Sequence, residues 1–416
     1  MQVSWRRSVR LVSKMAEEIS KTTAGTVAES STNRINDGRT PSIVRWPVFL
    51  RWIPTSTQHI IASERRLLSI VKTPYVQEQV NIGSGPPGSK VSWFRSSSSE
   101  PRFINTVTFE STADNGSSAP TLVMVHGYGA SQGLFFRNFD VLATRFRVIA
   151  IDQLGWGASS RPDFTCESTE ETESWFIDSF EAWRKAKNLD NFILLGHSLG
   201  GYVAAKYAIK HPGHVQHLIL VGPAGFSLES DQKYEWIVKF KTTWKGKILN
   251  HFWETNFTPQ KIVRGLGPWG PNLVQKYTTS RFGTHSAGDM LNDEESNLLS
   301  DYFYHTLAAR ASGELCLKHI FSFGAFSRKP LLECAPEWKV PTTFIYGYHD
   351  WMDFEGAQEA RKNMNVPVEI IRLPRAGHFA FLDNAAGFHS AVFYALRKFL
   401  GKEHENESIP EGLTQA

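Results

Sequence analysis

Short, continuous apolar runs separated by longer amphipathic stretches set the rhythm of this chain. "TLVMVHG" (121–127), "FRVIAID" (146–152), "NFILLG" (191–196) and "VQHLILVG" (215–222) are uninterrupted and β-rich, as strands covered on both faces must be. "TTFIYG" (342–347) and "VEIIRLP" (368–374) repeat the pattern late in the chain. Upstream, "VQEQVNI" (76–82), "KVSWFRS" (90–96) and "FINTVTFE" (103–110) read as further strands, with "SGPPGS" as a turn between the first two. Helical patterns fill the intervals. "STEETESWFIDSFEAWRKAKN" opens on Ser168 in a capping position with Glu171 at the reciprocal place, and a closing helix is expected over about 385–401. The alternation predicts an α/β fold, a mostly parallel central sheet with helices on both faces.

Residues 223–338 break the alternation. They are rich in Trp and Phe and carry several helical pieces. Some 115 residues between two core strands are too many for a loop, so the segment reads as an inserted, mainly helical lid over the carboxyl ends of the strands. Its aromatics suit an apolar substrate, or they form the lid's own core. The chain thus divides into a flexible basic leader (1–45), a Trp/Arg-rich amphipathic segment (46–75), a first part of the core (76–222), the lid (223–338), a second part of the core (339–401) and a flexible tail (402–416).

Charge changes the picture only at the N-terminus. Of the formal +4, residues 1–75 contribute twelve Lys/Arg against five Asp/Glu, a net of +7, which leaves −3 for the remainder. Trp5, Val9, Leu11 and Val12 alternate with Arg6, Arg7, Arg10 and Lys14 in a segment able to lie in a headgroup layer. A targeting signal and a plain solvated tether are the other readings. Trp46, Phe49, Leu50, Trp52 and Ile53, beside Arg45 and Arg51, suit a polar–apolar boundary. Ile60, Leu67, Leu68 and Val71 then share one side of a helix, so this region contacts a membrane, braces the core, or does both. No nucleic-acid module is visible. No apolar run reaches the roughly 18–20 residues of a spanning helix. Cys166, Cys316 and Cys334 are too scattered for a disulfide framework or a closed metal site. A cytoplasmic protein, peripherally associated with membranes or lipid droplets, is expected.

The chemistry centres on "GHSLG". A serine between Gly196 and Gly200, after an apolar strand and before a helix, has the context of a nucleophile elbow. The glycines of Gly196–His197–Ser198–Leu199–Gly200 let the backbone turn sharply, with Gly201 adding room, and lift the Ser198 hydroxyl toward substrate. A serine needs a base. His378, in "LPRAGHFAFLDN" directly after the last strand, stands where an α/β-hydrolase fold places it. The orienting acid should end the preceding strand, where "FIYGYHDWMD" offers Asp350 and, as the alternative, Asp353. Oxyanion donors are expected from the Leu199 N–H and from "HGYGAS" near Tyr128, with His126 and Gly127 shaping that loop. Asp152, in "DQLGWGASSRP", is read as shaping its loop, and the serine elbow disfavours an aspartate nucleophile. Arg161, Arg264 and Arg281 are candidates for a phosphate headgroup.

"VMVHGYGAS", "IDQLGWGASSRPDF", "GHSLGGYVAAKYAIKHP", "FIYGYHDWMD" and "GHFAFLDN", together with the tryptophan-rich leader, resemble the plant branch of the comparative-gene-identification-58-like α/β-hydrolases, from about Trp46 to residue 401. The resemblance implies glycerolipid substrates and lysophosphatidic acid acyltransferase activity, with triacylglycerol lipase and phospholipase A activity beside it. Acyl-CoA is implied as co-substrate, with no bound cofactor. Some animal members lack the serine and act as lipase co-activators; this chain keeps Ser198. The family's proposed acyltransferase motif, His, four residues, Asp, falls on His378 and Asp383. Asp383 can be catalytic, or it can cap the helix that follows near Asn384. A non-catalytic adaptor that activates a partner lipase and a serine carboxylesterase for small esters are the alternative functions.

Overall fold

The computed structural model describes residues 55–84, 100–112, 119–229, 231, 234–284, 286, 288–352 and 354–416. The basic leader, residues 46–54 of the Trp/Arg-rich segment, the expected strand at 90–96 and Asp353 lie outside the described residues.

Helix α1 (Thr57–Leu68) precedes β1 (Tyr75–Ser84), β2 (Pro101–Phe109), β3 (Thr121–Val125) and β4 (Arg147–Ile151). Helix α2 (Thr169–Ala186), β5 (Phe192–His197), α3 (Leu199–Lys210) and β6 (Val215–Val221) follow. The insertion contributes α4 (Glu235–Thr242), α5 (Trp244–Glu254), α6 (Pro259–Gly265), α7 (Gly270–Thr279) and α8 (Asp293–Ala308). The chain then returns to β7 (Thr342–Gly347), α9 (Phe354–Asn363), β8 (Val368–Leu373), α10 (Ala380–Asp383), α11 (Ala385–Ala395) and β9 (Thr414–Gln415).

The nine strands form one sheet in the order β1-β2-β4-β3-β5-β6-β7-β8-β9. From β4 through β8 all neighbours are parallel; β1, β2 and β9 join antiparallel at the margins. The alternation of side chains explains the unbroken apolar runs. On one face Leu122, Met124, Ile193 and Leu195 meet Ile60, Leu67 and Leu68 of α1 and Phe388 and Val392 of α11. On the other, Val123, Val125 and Leu194 meet Trp175, Phe176 and Trp183 of α2 and Tyr202 and Val203 of α3. Both faces are dry, so every position of these strands must be apolar. Strand order reverses around β3, with β4 on one side and β5 on the other. That switch leaves a crevice at the carboxyl ends.

The described part of the Trp/Arg-rich segment is a brace. Ser56 caps α1, its Oγ accepting from the His59 N–H at 3.2 Å, and Ile60, Leu67 and Leu68 are fully buried. Glu64 is buried with them and accepts from Asn105 at 3.0 Å and Gln77 at 2.7 Å. Burial, with Asp152 nearby, pushes its carboxyl well above the usual range.

Three expectations change. Residues 402–416 do not hang free: β9 pairs with β8, Leu413 is buried, and the Ala416 N–H donates to Ile370 O at 2.9 Å. Ser168 caps α2 by accepting from the Glu171 N–H at 3.1 Å, but Glu171 returns its bond to the Glu167 N–H, one residue earlier than a capping box requires. The closing helix ends at Ala395, followed by a single 3₁₀ turn over Arg397–Phe399.

Candidate functional site

Ser198 joins β5 to α3 with φ 55° and ψ −118°, a conformation that costs a non-glycine residue about 1–3 kcal/mol. The surroundings hold it there. Its N–H donates to Val221 O at 3.0 Å, and its carbonyl accepts from Tyr202 and Ala224, each at 3.1 Å. Glycine at 200 is required by approach: a Cβ there would fall 2.3 Å from His126 O. The same crossing brings the loop after β3 against the serine.

His378 lies in the loop after β8 and Asp350 in the loop after β7. The His378 Nε2 is 3.0 Å from Ser198 Oγ, and its Nδ1 is 2.9 Å from Asp350 Oδ1. A carboxylate only accepts, so Nδ1 carries the hydrogen and Nε2 is left to accept from the serine hydroxyl. Asp350 Oδ1 also accepts from the Met352 N–H at 2.9 Å. The structure therefore brings Ser198, His378 and Asp350 into one hydrogen-bonded line. Ser198 and His378 are each only 8% exposed, so the line runs beneath a cover.

Sequence reasoning missed two neighbours of this line. Gly222, just after β6, adopts φ +46°, and a Cβ on it would fall 2.4 Å from Asp350 Oδ2 and 3.1 Å from His378 Nδ1. The clue was its place at a strand's carboxyl end, in "VGPAG". His197 was noted only as part of the elbow. Its Nε2 bonds His378 O at 2.9 Å, and the two rings stand 4.7 Å apart. Burial, with His378 adding to it, holds the His197 imidazole well below its usual pKa and hence neutral. Nε2–H is then the donor, and the His378 backbone is fixed.

The Leu199 N–H opens α3, so no helical carbonyl reaches it, and it points from the end of the helix that carries partial positive charge. The Tyr128 loop runs beside it, since a Cβ on Gly127 would fall 2.8 Å from Ser198 Cβ. The Tyr128 hydroxyl donates to Glu314 O at 3.2 Å, and burial pushes the phenol well up. His126 holds the loop's shape: Nδ1–H donates to Gly127 O at 2.8 Å and Nε2 accepts from the Gln153 N–H at 3.1 Å. Asp152 accepts from the Gln132 and Ala158 N–H groups and from the Asn105 amide, each at 2.8 Å, which is loop-shaping work away from the serine.

Asp383 is fully buried and does not cap α11. Asn384 does, accepting from the Gly387 N–H at 2.9 Å. The Asp383 carboxylate instead receives both Arg281 amino groups, at 3.1 and 3.2 Å, and the Gly377 N–H at 2.8 Å. Gly377 precedes His378, and Arg281 comes from a π-turn of the lid over Ser280–Thr284. Burial lowers the Arg281 guanidinium, but Asp383 outweighs it and the net shift is upward. The other two headgroup candidates are also engaged. Arg161 donates to the carbonyls of Gly157, Thr306 and Arg310, and Arg264 donates to Glu314, Leu307 and Ala309. Arg264 and Arg281 are thus committed to acids, whereas Arg161 gives its amino groups to carbonyls and its buried Nε has no partner among the described residues.

The family model of the alpha/beta hydrolase fold matches residues 120–385. A protein of Oryza sativa subsp. japonica called a probable 1-acylglycerol-3-phosphate O-acyltransferase is 75% identical over 372 residues, 89% of either chain. The 1-acylglycerol-3-phosphate O-acyltransferase of Arabidopsis thaliana is 70% identical over 402 residues, 95% of either chain. At greater distance, 1-acylglycerol-3-phosphate O-acyltransferase ABHD5 of Rattus norvegicus is 33% identical over 346 residues, 81% of this chain and 89% of that one. Sheet order, elbow and relatives agree: the chain belongs to the alpha/beta hydrolase fold family, in its ABHD5-like, that is comparative-gene-identification-58-like, branch.

Proposed function

We propose that this chain is an enzyme that moves an acyl group from acyl-CoA to the free hydroxyl of 1-acylglycerol-3-phosphate, through an acyl-serine at position 198. The observation that carries the reading is the continuous Ser198–His378–Asp350 line under a lid. The names of the plant relatives supply the substrate class.

His378 Nε2 takes the hydroxyl proton as Ser198 Oγ attacks the thioester carbonyl. Charge develops on the carbonyl oxygen, where the Leu199 and Tyr128 N–H groups stabilise it; one such donor is worth about 3 kcal/mol in the transition state. The C–S bond breaks, and CoA leaves as the thiol with the proton from His378. The lysolipid hydroxyl then gives its proton to His378 and attacks the acyl-serine, and Ser198 recovers the proton as the product ester departs. Asp350 holds the imidazole in the required tautomer and stabilises its charged form. With a glycerolipid ester in place of acyl-CoA as the acyl donor, its glycerol oxygen leaving with the proton from His378, and with water in place of the lysolipid as acceptor, the same line hydrolyses lipid, which is the basis for triacylglycerol lipase and phospholipase A2 activity in this reading. Asp383 acts as a positioning residue through Gly377. Peripheral membrane or lipid-droplet attachment through residues 1–54 completes the reading; among the described residues no helix is long and apolar enough to cross a membrane.

Purified protein given labelled oleoyl-CoA and 1-oleoylglycerol-3-phosphate should yield labelled phosphatidate. Absence of product from the intact chain rejects the transferase. Ser198→Ala should lower the rate at least about 10³-fold; full transfer by that variant rejects the acyl-serine and leaves direct attack by the lysolipid.

A further inference from the structure

The lid turns one helix face outward. Trp244, Ile248 and Phe252 recur every four residues along α5 and so form one stripe; they are 69%, 47% and 43% exposed. Phe257 prolongs it, its ring 5.2 Å from that of Phe252. The opposite face fastens the helix: Gly246 is buried, and Trp253 donates Nε1–H to Phe321 O at 3.0 Å. The outward aromatics are therefore surplus to the lid's own packing, contrary to the two roles expected for such residues, core and acyl pocket.

The charges beside the stripe that lack an ion-pair partner among the described residues have one sign. Lys245 and Lys247 are exposed, and neither forms an ion pair among the described residues. The Lys245 ammonium stands 5.5 Å from the Trp244 ring centre. Nearby acids are engaged elsewhere, Glu235 with Lys239 and Glu254 with Arg328. An exposed run of large apolar side chains marks an interaction site. Two unpaired ammonium groups flanking it call for an anionic complement. Trp and Lys together suit a layer that is apolar below and charged above. At eleven residues and about 16 Å, α5 is too short to span a bilayer, which leaves it lying in the plane.

We propose that α5 is an interfacial docking helix, whose Trp244–Ile248–Phe252 stripe enters the headgroup–acyl boundary of an anionic phospholipid surface while Lys245 and Lys247 meet headgroup phosphates. This attachment point is additional to the one proposed for the basic leader and places the lid against the lipid. It goes beyond the proposed acyl transfer and requires no turnover.

The test is flotation of the full chain with phosphatidylcholine vesicles, with and without phosphatidylserine. The leader is present in every variant, so differences belong to α5. W244S/I248S/F252S should lower binding to the anionic vesicles about tenfold, with the fold retained and the melting temperature lowered by no more than a few degrees. K245E/K247E, two surface changes that leave the apolar stripe intact, should abolish the preference for phosphatidylserine and flatten the dependence on salt. Ser198→Ala should bind as the parent does, which separates failure here from failure of the proposed reaction. Unchanged vesicle binding by both α5 variants overturns the inference. So does a triple variant that binds vesicles normally but sediments at a lower mass, which would assign the stripe to a second copy of the chain.

Discussion

At position 198 a β-carbon occupies backbone space that glycine fills more cheaply, and the strain holds only because three backbone bonds, to Val221, Tyr202 and Ala224, over-determine it. Gly222, beside the catalytic line, combines a left-handed φ of +46° with a crowded Cβ position. Gly222→Ala must leave the left-handed region or press on Asp350 and His378, and either outcome shifts the imidazole. Acyl-enzyme formation, read by single-turnover kinetics, is expected to slow about 10²-fold with the folded state retained; an unchanged rate would show that the loop accommodates a methyl group. The elbow and late histidine were legible because each is a local pattern: glycine–X–serine–X–glycine between strand and helix, and a histidine directly after a strand. Asp383 was not legible, because its partners are the Gly377 N–H and an arginine 102 residues upstream. Spacing from His378 reveals neither, and the helix cap that spacing suggested belongs to Asn384.

Between elements, buried ion pairs do the joining. Arg281 and Asp383 tie the lid to the histidine loop, and removing one partner strands the other charge in the interior, at about 3–5 kcal/mol. Arg281→Met should therefore lower the melting temperature, and Arg281→Met with Asp383→Leu should recover part of that loss while acyl transfer stays depressed, since Gly377 has then lost its acceptor. If the double variant melts no higher than the single one, the pair is not coupled. On the other side of the sheet, Glu181 accepts from Arg184 and from Tyr207, binding α2 to α3. The Arg184 hydrogen bonds pull its pKa down to about 2 despite burial. A depressed carboxylate contributes stability above its unfolded value, near 4.3, and loses it as pH falls toward about 2. Solvent screening limits the effect to on the order of 1–2 kcal/mol. Urea unfolding of Glu181→Gln should thus show a shallower decline in stability between pH 4 and pH 2 than the parent. An identical acid limb for both would remove Glu181 from the account.

Over the whole molecule, the hydrophobic pattern anticipated the parallel heart of the sheet and the β1–β2 margin, and missed the opposite edge, β9. Strands buried on both faces announce themselves as four or five apolar residues in a row. β9 is two exposed polar residues, Thr414 and Gln415, and no periodicity can distinguish such a segment from a tail. Its anchoring rests on Leu413 and on bonds to Ile370, Arg361 and Tyr348. Deleting residues 402–416 is expected to cost about 2 kcal/mol, mostly the burial of Leu413, and to lower the melting temperature by a few degrees. A truncated chain that melts with the parent would show that the edge adds nothing.

The carboxylate at 383 serves two masters. The lid's arginine and the amide before His378 share it, so a movement large enough to admit a bulky lipid and part Arg281 from Asp383 also frees the segment carrying the base. An enzyme wired this way is idle while open. For the proposed acyl transfer, reclosing restores the base with the alcohol already seated, so parting Arg281 from Asp383 should move the products from ester toward free fatty acid.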